Sequence, residues 1–253
     1  MTPVPLEDSR LATCVGVTGL AHVGDDLLAM VQSLTEPAML VRLTHDYRVK
    51  DVWPLKQVRD AHSITVAGRK AYIASTGADA IVEFDPEAGE RLFWRDNEFG
   101  DDTIHLNSVL WAHGCLYASA FGKKKGATWA SADAGYLLNL TAGTIVAEPI
   151  GHPHSVTTLF SSRSDGIYYC ESTRHAICRD DGQRLDTGSG FTRGLVATST
   201  HLYVGISQHR RERTDQCEVR VYARSGGSLG HSRLVKTICL SDYGQEIYDL
   251  LPV

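Results

Sequence analysis

The chain has 253 residues, a formal net charge of −5 and 43% hydrophobic residues, which is sufficient for one large hydrophobic core. The acidic balance excludes generic nucleic-acid binding, and the absence of a run of about 18 apolar residues excludes a membrane-spanning helix. The first eight residues lack the basic and apolar regions of a secretory signal. The six cysteines show no paired spacing, as is typical of reduced thiols. We therefore expect a cytoplasmic protein without a nucleic-acid or membrane partner.

A short pattern recurs along the chain: a polar residue, then Ser or Gly, then an aliphatic residue that begins a strand. We call the polar residues of this pattern the anchor residues, and they are Thr18, His62, Asn107, His154 and Arg193. Their spacing of roughly 40–50 residues is typical of propeller blades. Five repeats predict an all-β fold, a single β-propeller domain over residues 1–253 with five blades of four antiparallel strands. A two-sheet β-sandwich is the alternative.

The other predicted strands follow the anchor residues in chain order. Residues 10–15 precede the first anchor residue and are expected to complete the sheet of the last blade. A second strand follows each anchor residue, at 27–31, 71–74, 116–119, 167–170 and 202–205, usually after a turn that indicates a hairpin. Third strands are clearest at 80–85 and 219–222, and long insertions occur at 121–129 and 208–215. Residues 242–250 are interpreted as a final strand or its beginning.

Topology predicts where the unusual side chains of a propeller meet. The first strand of a blade lines the channel, and its start lies at the same face as the end of the second strand because the two are antiparallel neighbours. We therefore expect one channel mouth to carry six residues at first-strand starts, namely His62, His105, Asn107, His152, His154 and Arg193. The end of a second strand adds Glu171 and Ser172. This convergence predicts an active site at the channel mouth.

Two kinds of chemistry are compatible with these residues. His62, His154 and Glu171 are candidate ligands of a divalent metal ion, because neutral imidazoles beside a carboxylate form such sites. Alternatively, a histidine acts as a general acid or base, with His105 and His152 as further catalytic candidates. A third interpretation is that the histidines only form hydrogen bonds around a narrow channel and cap strand backbones.

Basic residues predict that the ligand is a small anion, a carboxylate or a phosphate. Arg193 is expected to make the direct contact, since a guanidinium matches such groups geometrically. The other candidate substrate-binding residues are Asn107, Lys123, Lys124, Arg210 and Arg211. Basic loops in an acidic protein focus anions toward one face. Phe121 and Trp129 are candidates for a lid over the ligand, or Trp129 packs under its own loop.

Two resemblances to known families accompany these patterns. The segment from Asp165 to Ser172, with an aromatic pair before Glu171 at a strand end, is similar to the blade signature of virginiamycin B lyase-type propellers. That resemblance implies a metal-dependent C–O lyase with His and Glu residues at the channel mouth. The segments 152–155, 204–207 and 246–249 resemble a bacterial family of five-bladed propellers of unknown function, which implies a fold and no reaction.

The sequence therefore predicts a small-molecule enzyme with one active site, a lyase, isomerase or hydrolase that acts on an anionic substrate and that uses either a divalent metal ion or histidine acid–base chemistry. The alternative is a non-catalytic propeller that binds a protein partner or a small ligand. These two functions differ in what they require of His62 and His154, because a scaffold with contacts on its outer blade surfaces would tolerate their loss.

Overall fold

The computed structural model describes residues 8–35, 37–96, 101–160, 166–207, 217–225 and 228–252. The fold is a five-bladed β-propeller in which each blade is a four-stranded antiparallel sheet, as the repeat predicts. Two compact units make up the chain, Met1–Trp111 and Ala112–Val253. Within the described residues, no helix is long and apolar enough to cross a membrane.

The blades follow one another in chain order, and each uses four consecutive strands. Blade one consists of β1 (Cys14–Val23), β2 (Asp26–Ser33), β3 (Met39–Leu43) and β4 (Val49–Pro54). Blade two consists of β5 (Ala61–Ala67), β6 (Lys70–Ser75), β7 (Ala80–Asp85) and β8 (Gly89–Arg95). Blade three consists of β9 (Leu106–Ala112), β10 (Cys115–Ala120), β11 (Gly135–Asn139) and β12 (Thr144–Ile150).

Blade four consists of β13 (Pro153–Thr158), β14 (Ile167–Glu171), β15 (Ala176–Arg179) and β16 (Arg184–Asp186). Blade five consists of β17 (Phe191–Ala197), β18 (His201–Ser207), β19 (Glu218–Ser225) and β20 (Ser228–Cys239). Short 3₁₀ helices occur at Ser9–Leu11, Thr76–Ala78, Trp129–Ser131 and Ser172–Arg174.

Apolar strand residues form a core within each unit. In the first unit, Met30, Leu40 and Ile73 are fully buried members of one cluster. In the second unit, Tyr168 and Leu202 are fully buried members of another cluster. The second and third strands of blade two are buried almost throughout. A strand that is buried on both faces has a continuous run of apolar residues, whereas a strand buried on one face alternates apolar and polar residues.

In blades two and four, the Ser that follows the anchor residue joins the first strand of its blade to that of another. The hydroxyl of Ser63 accepts a hydrogen bond from the backbone N–H of Val109 at 3.3 Å, and the hydroxyl of Ser155 accepts one from Gly194 at 2.7 Å. In blade one the same position is Gly19, where a Cβ would lie 3.0 Å from the backbone nitrogen of Ile64. The recurring pattern therefore reflects close contact between first strands.

Two predictions about the chain ends are wrong. Residues 10–15 do not complete the last blade, since β1 is the first strand of blade one and the last sheet consists of β17–β20. The physical reason is that the 12-residue β20 pairs along the whole of β19, from Ser225↔Ser228 to Glu218↔Cys239. The segment 244–252, here called the C-terminal segment, forms no strand and instead packs on blade five.

Candidate functional site

β-Bulges occur at or directly after the anchor residues of blades one, two, four and five. The pairing of β1 with β2 has an extra residue at Thr18, and that of β5 with β6 has one at His62. The first strands of blades four and five have the same irregularity, directly after His154 and at Arg193–Gly194. A bulge redirects side chains and often lies beside a functional site. The anchor positions are therefore candidates for such a site.

Near the anchor residues of blades two, three and four, the backbone adopts a conformation that is uncommon outside glycine. Asp60, Asp102, His105, His152 and Ser155 all have positive φ, between 48° and 54°. Asp and His tolerate this left-handed region better than most residues, yet it still costs free energy, and such residues cluster at functional sites. Five of them at the starts of three first strands support a functional interpretation of this region.

In the first unit, the rings of His62 and His105 are in contact. Their ring centroids are 5.3 Å apart at an interplanar angle of 76°. Nδ1 of His62 is 3.1 Å from the backbone carbonyl of Asp60, and Nδ1 of His105 is 3.0 Å from the carboxylate of Asp102. The two side chains are 10% and 13% exposed, so this pair is mostly enclosed but not sealed from solvent.

The partners of these rings determine their tautomers. Carbonyl and carboxylate oxygens only accept hydrogen bonds, so we assign the ring proton of both His62 and His105 to Nδ1. In the neutral ring, Nε2 is then the basic nitrogen. A histidine whose Nδ1–H is held by an oxygen is oriented for proton transfer or for metal ligation through Nε2.

Two buried polar atoms at anchor positions of the first unit have no hydrogen-bond partner among the described residues. They are the amide nitrogen of Asn107 and the hydroxyl of Thr18, in side chains of residues that are only 3% and 4% exposed. Leaving a buried donor unsatisfied costs about 1–3 kcal/mol. Such a group needs solvent or a polar ligand to complete its hydrogen bonding. That Asn107 contacts substrate stays a prediction.

In the second unit, His154 is held by two oxygens and is almost fully buried. Its Nδ1 is 3.0 Å from the carbonyl of His152 and 2.8 Å from the hydroxyl of Ser172. Ser172 donates its only proton to the carbonyl of Thr192 at 2.6 Å, so it can only accept from His154. The ring proton of His154 is therefore on Nδ1, and Nε2 is the basic nitrogen, as in His62.

Blades two and four hold their anchor histidines by the same means. Each ring contacts the carbonyl of the residue two positions earlier, Asp60 or His152. Each of those residues has a positive φ, so the same backbone turn precedes both rings. The equivalence of His62 and His154, which the sequence repeat predicts, thus extends to their hydrogen bonding.

His152 has the opposite tautomer and belongs to an aromatic cluster. Its Nε2 is 2.9 Å from the carbonyl of Trp129, which places the proton on Nε2. Its ring is stacked on Phe121, with centroids 4.3 Å apart. His154 contacts Phe121 and Phe191 edge-on, both with centroids 5.1 Å apart. Phe121 is therefore buried beside the histidines, and Trp129 contributes its backbone to holding His152.

Glu171 is engaged by two arginines and a backbone amide. One carboxylate oxygen accepts from Arg174 at 2.7 Å and from the N–H of Gly151 at 3.0 Å, and the other accepts from Arg184. Burial, and then the negative charge of Glu171, raise the pKa of Cys178 to about 11, so this thiol stays protonated at neutral pH. These contacts give Glu171 a structural role in joining the segment before β13 to the hairpin of β15 and β16.

Arg193 is enclosed by the C-terminal segment. Its guanidinium lies over the ring of Tyr248, 3.7 Å from the centroid, and Nη1 is 3.7 Å from the carboxylate of Glu246. The side chain is 9% exposed. An anion that contacts Arg193, as the sequence predicts, would therefore bind beside the carboxylate of Glu246 and the ring of Tyr248.

The remaining basic candidates are at the surface or beyond the described residues. Lys123 and Lys124 are exposed, and Nζ of Lys124 lies 4.2 Å above the ring of Trp129. Arg210 and Arg211 lie outside the described residues, so their role as substrate-binding residues stays a prediction. Within the described ranges, no group of three or more His, Cys, Asp or Glu side chains is arranged to hold a metal ion.

Sequence reasoning missed the carboxylates that precede two of the histidines. Asp60 and Asp102 lie two and three residues before His62 and His105, and this short spacing before a strand was an available signal. It also gave no role to Phe191 or to Glu246 as a contact of Arg193. No local pattern marks Glu246, because it lies far along the chain from Arg193.

Comparisons with known proteins show the fold and not a family. No protein-family profile and no curated protein sequence matches the chain. A structure of a nidogen/laminin complex matches with 12% identity and a TM-score of 0.65, covering 92% of this chain and 83% of that one. An aldose sugar dehydrogenase from Streptomyces coelicolor, with PQQ bound, matches with 11% identity and a TM-score of 0.57, covering 87% and 80%.

A catalytically inactive virginiamycin B lyase from Staphylococcus aureus, in complex with quinupristin, matches with 11% identity and a TM-score of 0.51, covering 87% of this chain and 84% of that one. At these identities the likeness concerns the fold alone. The resemblance to virginiamycin B lyase-type propellers is therefore confirmed as a resemblance of fold, and this chain is a five-bladed β-propeller whose structural neighbours include both enzymes and a protein complex.

Proposed function

We propose that this protein is a small-molecule enzyme that acts by histidine acid–base catalysis on a small anionic substrate, as a lyase, isomerase or hydrolase. One observation carries the proposal: His62 and His154, at equivalent positions of blades two and four, are both held through Nδ1–H by the carbonyl two residues earlier. Both rings therefore have a defined tautomer with Nε2 as the base.

The chemistry follows from the state of Nε2. With a pKa near 6.5, a neutral imidazole accepts a proton from a carbon acid or from water near neutral pH, and the resulting imidazolium returns it to a leaving group. In the first unit, the carboxylate of Asp60, 3.4 Å from Nδ1 of His62, would stabilise the positive charge that such a step creates on that ring. Catalysis of this type contributes about 10²–10⁴-fold in rate.

Substrate binding is proposed for the polar and basic residues near the anchor positions. Asn107 would donate its amide hydrogen to a substrate oxygen, because that donor is buried and has no partner among the described residues. Arg193 would bind a carboxylate or phosphate, while Lys123, Lys124, Arg210 and Arg211 act at longer range and are screened by salt.

A divalent metal ion bound by His62, His154 and Glu171 is the other form of the proposal. The contacts of Glu171 weigh against it, because both carboxylate oxygens already accept hydrogen bonds from arginines. The positive charge of Arg174 and Arg184 beside the same carboxylate also opposes a cation there. Glu171 therefore does not fit as a ligand in this conformation, and no step of the proposed chemistry uses a metal.

The test is turnover of a panel of small carboxylates and phosphate esters, followed by proton NMR. The substitutions His62→Asn and His154→Asn are each expected to lower the rate by about 100-fold or more, with the folded state checked by circular dichroism. His231→Asn, at an exposed position of β20, is the matched control and should leave the rate unchanged. Turnover at the wild-type rate in both anchor variants would contradict acid–base catalysis by these residues.

The same assay after treatment with a chelator separates the two forms of the proposal. Acid–base catalysis by the histidines should survive removal of divalent ions. Loss of turnover that Zn²⁺, Mn²⁺, Fe²⁺ or Mg²⁺ restores would favour the metal form instead.

A binding scaffold is the second candidate function, and the observation that favours it is the likeness to the nidogen/laminin complex. This candidate predicts no turnover of the panel. It also predicts partner or ligand binding that persists in both His62→Asn and His154→Asn, because the contacts of a scaffold would lie on outer blade surfaces.

A further inference from the structure

Ile247 docks the C-terminal segment on blade five, and Leu250 packs against the same cluster. The backbone N–H of Ile247 donates to the hydroxyl of Ser207 at 2.8 Å, and that hydroxyl is 3.3 Å from the carbonyl of Ile247. The Ile247 side chain is buried in a cluster with Cys217 and Val219. A Cβ on Gly205 would lie only 2.7 Å from Cγ2 of Ile247, so this close approach depends on glycine in β18.

Docking of Ile247 brings its two neighbours in the chain, Glu246 and Tyr248, into contact with Arg193. Glu246 places its carboxylate 3.7 Å from Nη1, and Tyr248 places its ring 3.7 Å below the guanidinium carbon. The ring of Tyr248 contacts the face of the guanidinium, whereas the N–H bonds of a guanidinium lie in its plane. The segment thus supplies an aromatic support and a carboxylate to the anchor residue of blade five.

The contact between Arg193 and Glu246 is an ion pair without a short hydrogen bond. A charge-assisted N–H···O bond is about 2.7–2.9 Å long, and the observed 3.7 Å is well beyond that range. Glu246 is also more accessible than its partner, with 25% of its side chain exposed against 9% for Arg193. Rotation of the Glu246 side chain would therefore move its carboxylate away from Arg193 while Ile247 remains docked.

We propose that Glu246 is an internal competitor for an oxyanion at Arg193, and that a small carboxylate or phosphate binds there by displacing the Glu246 carboxylate. The bound anion would accept hydrogen bonds in the guanidinium plane while Tyr248 keeps that plane oriented. This inference rests on the proposed anion contact of Arg193 and is independent of histidine chemistry. It implies that the C-terminal segment limits the affinity of the site for weak anions.

The test measures anion binding directly, without turnover. Inorganic phosphate and acetate are titrated separately at constant ionic strength, and chemical-shift changes are followed by NMR in the wild type and in Glu246→Gln. An ion pair of this kind is worth up to about 1 kcal/mol, so removing the charge of Glu246 should tighten anion binding by about three- to fivefold. Asp242→Asn removes one negative charge from an exposed position nearby in sequence and is the matched control, which should bind as the wild type does.

The arginine itself is tested by Arg193→Lys, which retains the charge but not the planar fork of donors. It should weaken binding of both anions in the Glu246→Gln background. Equal affinity in wild type and Glu246→Gln, an equal gain in Asp242→Asn, or binding that is unaffected by Arg193→Lys would each overturn the proposal. A response to phosphate alone or to acetate alone identifies which oxyanion the site prefers. Failure of acid–base catalysis would appear in the turnover panel and would leave these affinities unchanged.

Discussion

At the scale of single residues, the protonation of the histidine rings is the most specific expectation. His62, His105 and His154 should carry their proton on Nδ1, whereas His152 should carry it on Nε2, because each of these nitrogens faces an oxygen that can only accept. Long-range proton–nitrogen NMR spectra at about pH 8, where imidazole is neutral, would distinguish the two tautomers. The exposed His231 is the reference for an unconstrained ring. Identical tautomers in His152 and His154 would contradict the assigned hydrogen bonds.

At the scale of elements, the packing of the C-terminal segment on β17 and β18 depends on Gly205. A Cβ there would overlap the carbonyl oxygen of Arg193 and press on Ile247. Backbone atoms cannot move aside cheaply, so Gly205→Ala should lower the free energy of unfolding by about 3 kcal/mol. Chemical denaturation measures this loss.

The control for this substitution is Gly16→Ala in β1, where a Cβ would meet no atom within 4 Å. A change at such an open position should stay within about 0.5 kcal/mol. Equal losses in the two variants would show that the close approach of the C-terminal segment to β18 does not contribute to stability.

At the scale of the whole molecule, paired carboxylates determine how stability depends on pH. Asp26, Glu83 and Asp85 in the first unit, and Asp133 and Asp181 in the second, all have a pKa below the usual range. For Glu83, burial alone would raise the pKa, but the hydrogen bonds from Lys70 and Arg91 and their charges outweigh it. A carboxyl group with a lowered pKa in the folded state stabilises the fold above its unfolded pKa, and this contribution is lost as the pH falls toward the folded value.

The free energy of unfolding should therefore be constant well above pH 4.5, the ordinary pKa of a glutamate, and should fall as the pH decreases below it. Urea denaturation between neutral and acidic pH measures this profile. In Glu83→Gln the decrease should be smaller, since one titrating group is gone. Asp242→Asn, at an exposed carboxylate outside these ion pairs, should keep the wild-type profile. A steeper decrease in Glu83→Gln would contradict the direction of the pKa shift.

Local contacts explain why the fold could be predicted from the sequence. A blade is built from consecutive strands, and its contacts recur with the same period, so the spacing of the anchor residues was sufficient to predict five blades. Ser63 and Ser155 recur because each bonds a first strand of another blade. The location of His62, His105, His152 and His154 at the starts of first strands followed from the same repeat.

Contacts between residues that are distant along the chain were decided only by the tertiary structure. The sequence makes Glu171 a candidate metal ligand. In the structure its carboxylate instead accepts a hydrogen bond from Arg184 at the start of β16. No strand pattern predicts which charged side chain lies beside Glu171. Arg193 contacts Glu246 and Tyr248, which lie more than fifty residues further along the chain. Periodicity determined the blades because their hydrogen bonds are local, whereas the partners of buried charges depend on how separate segments meet.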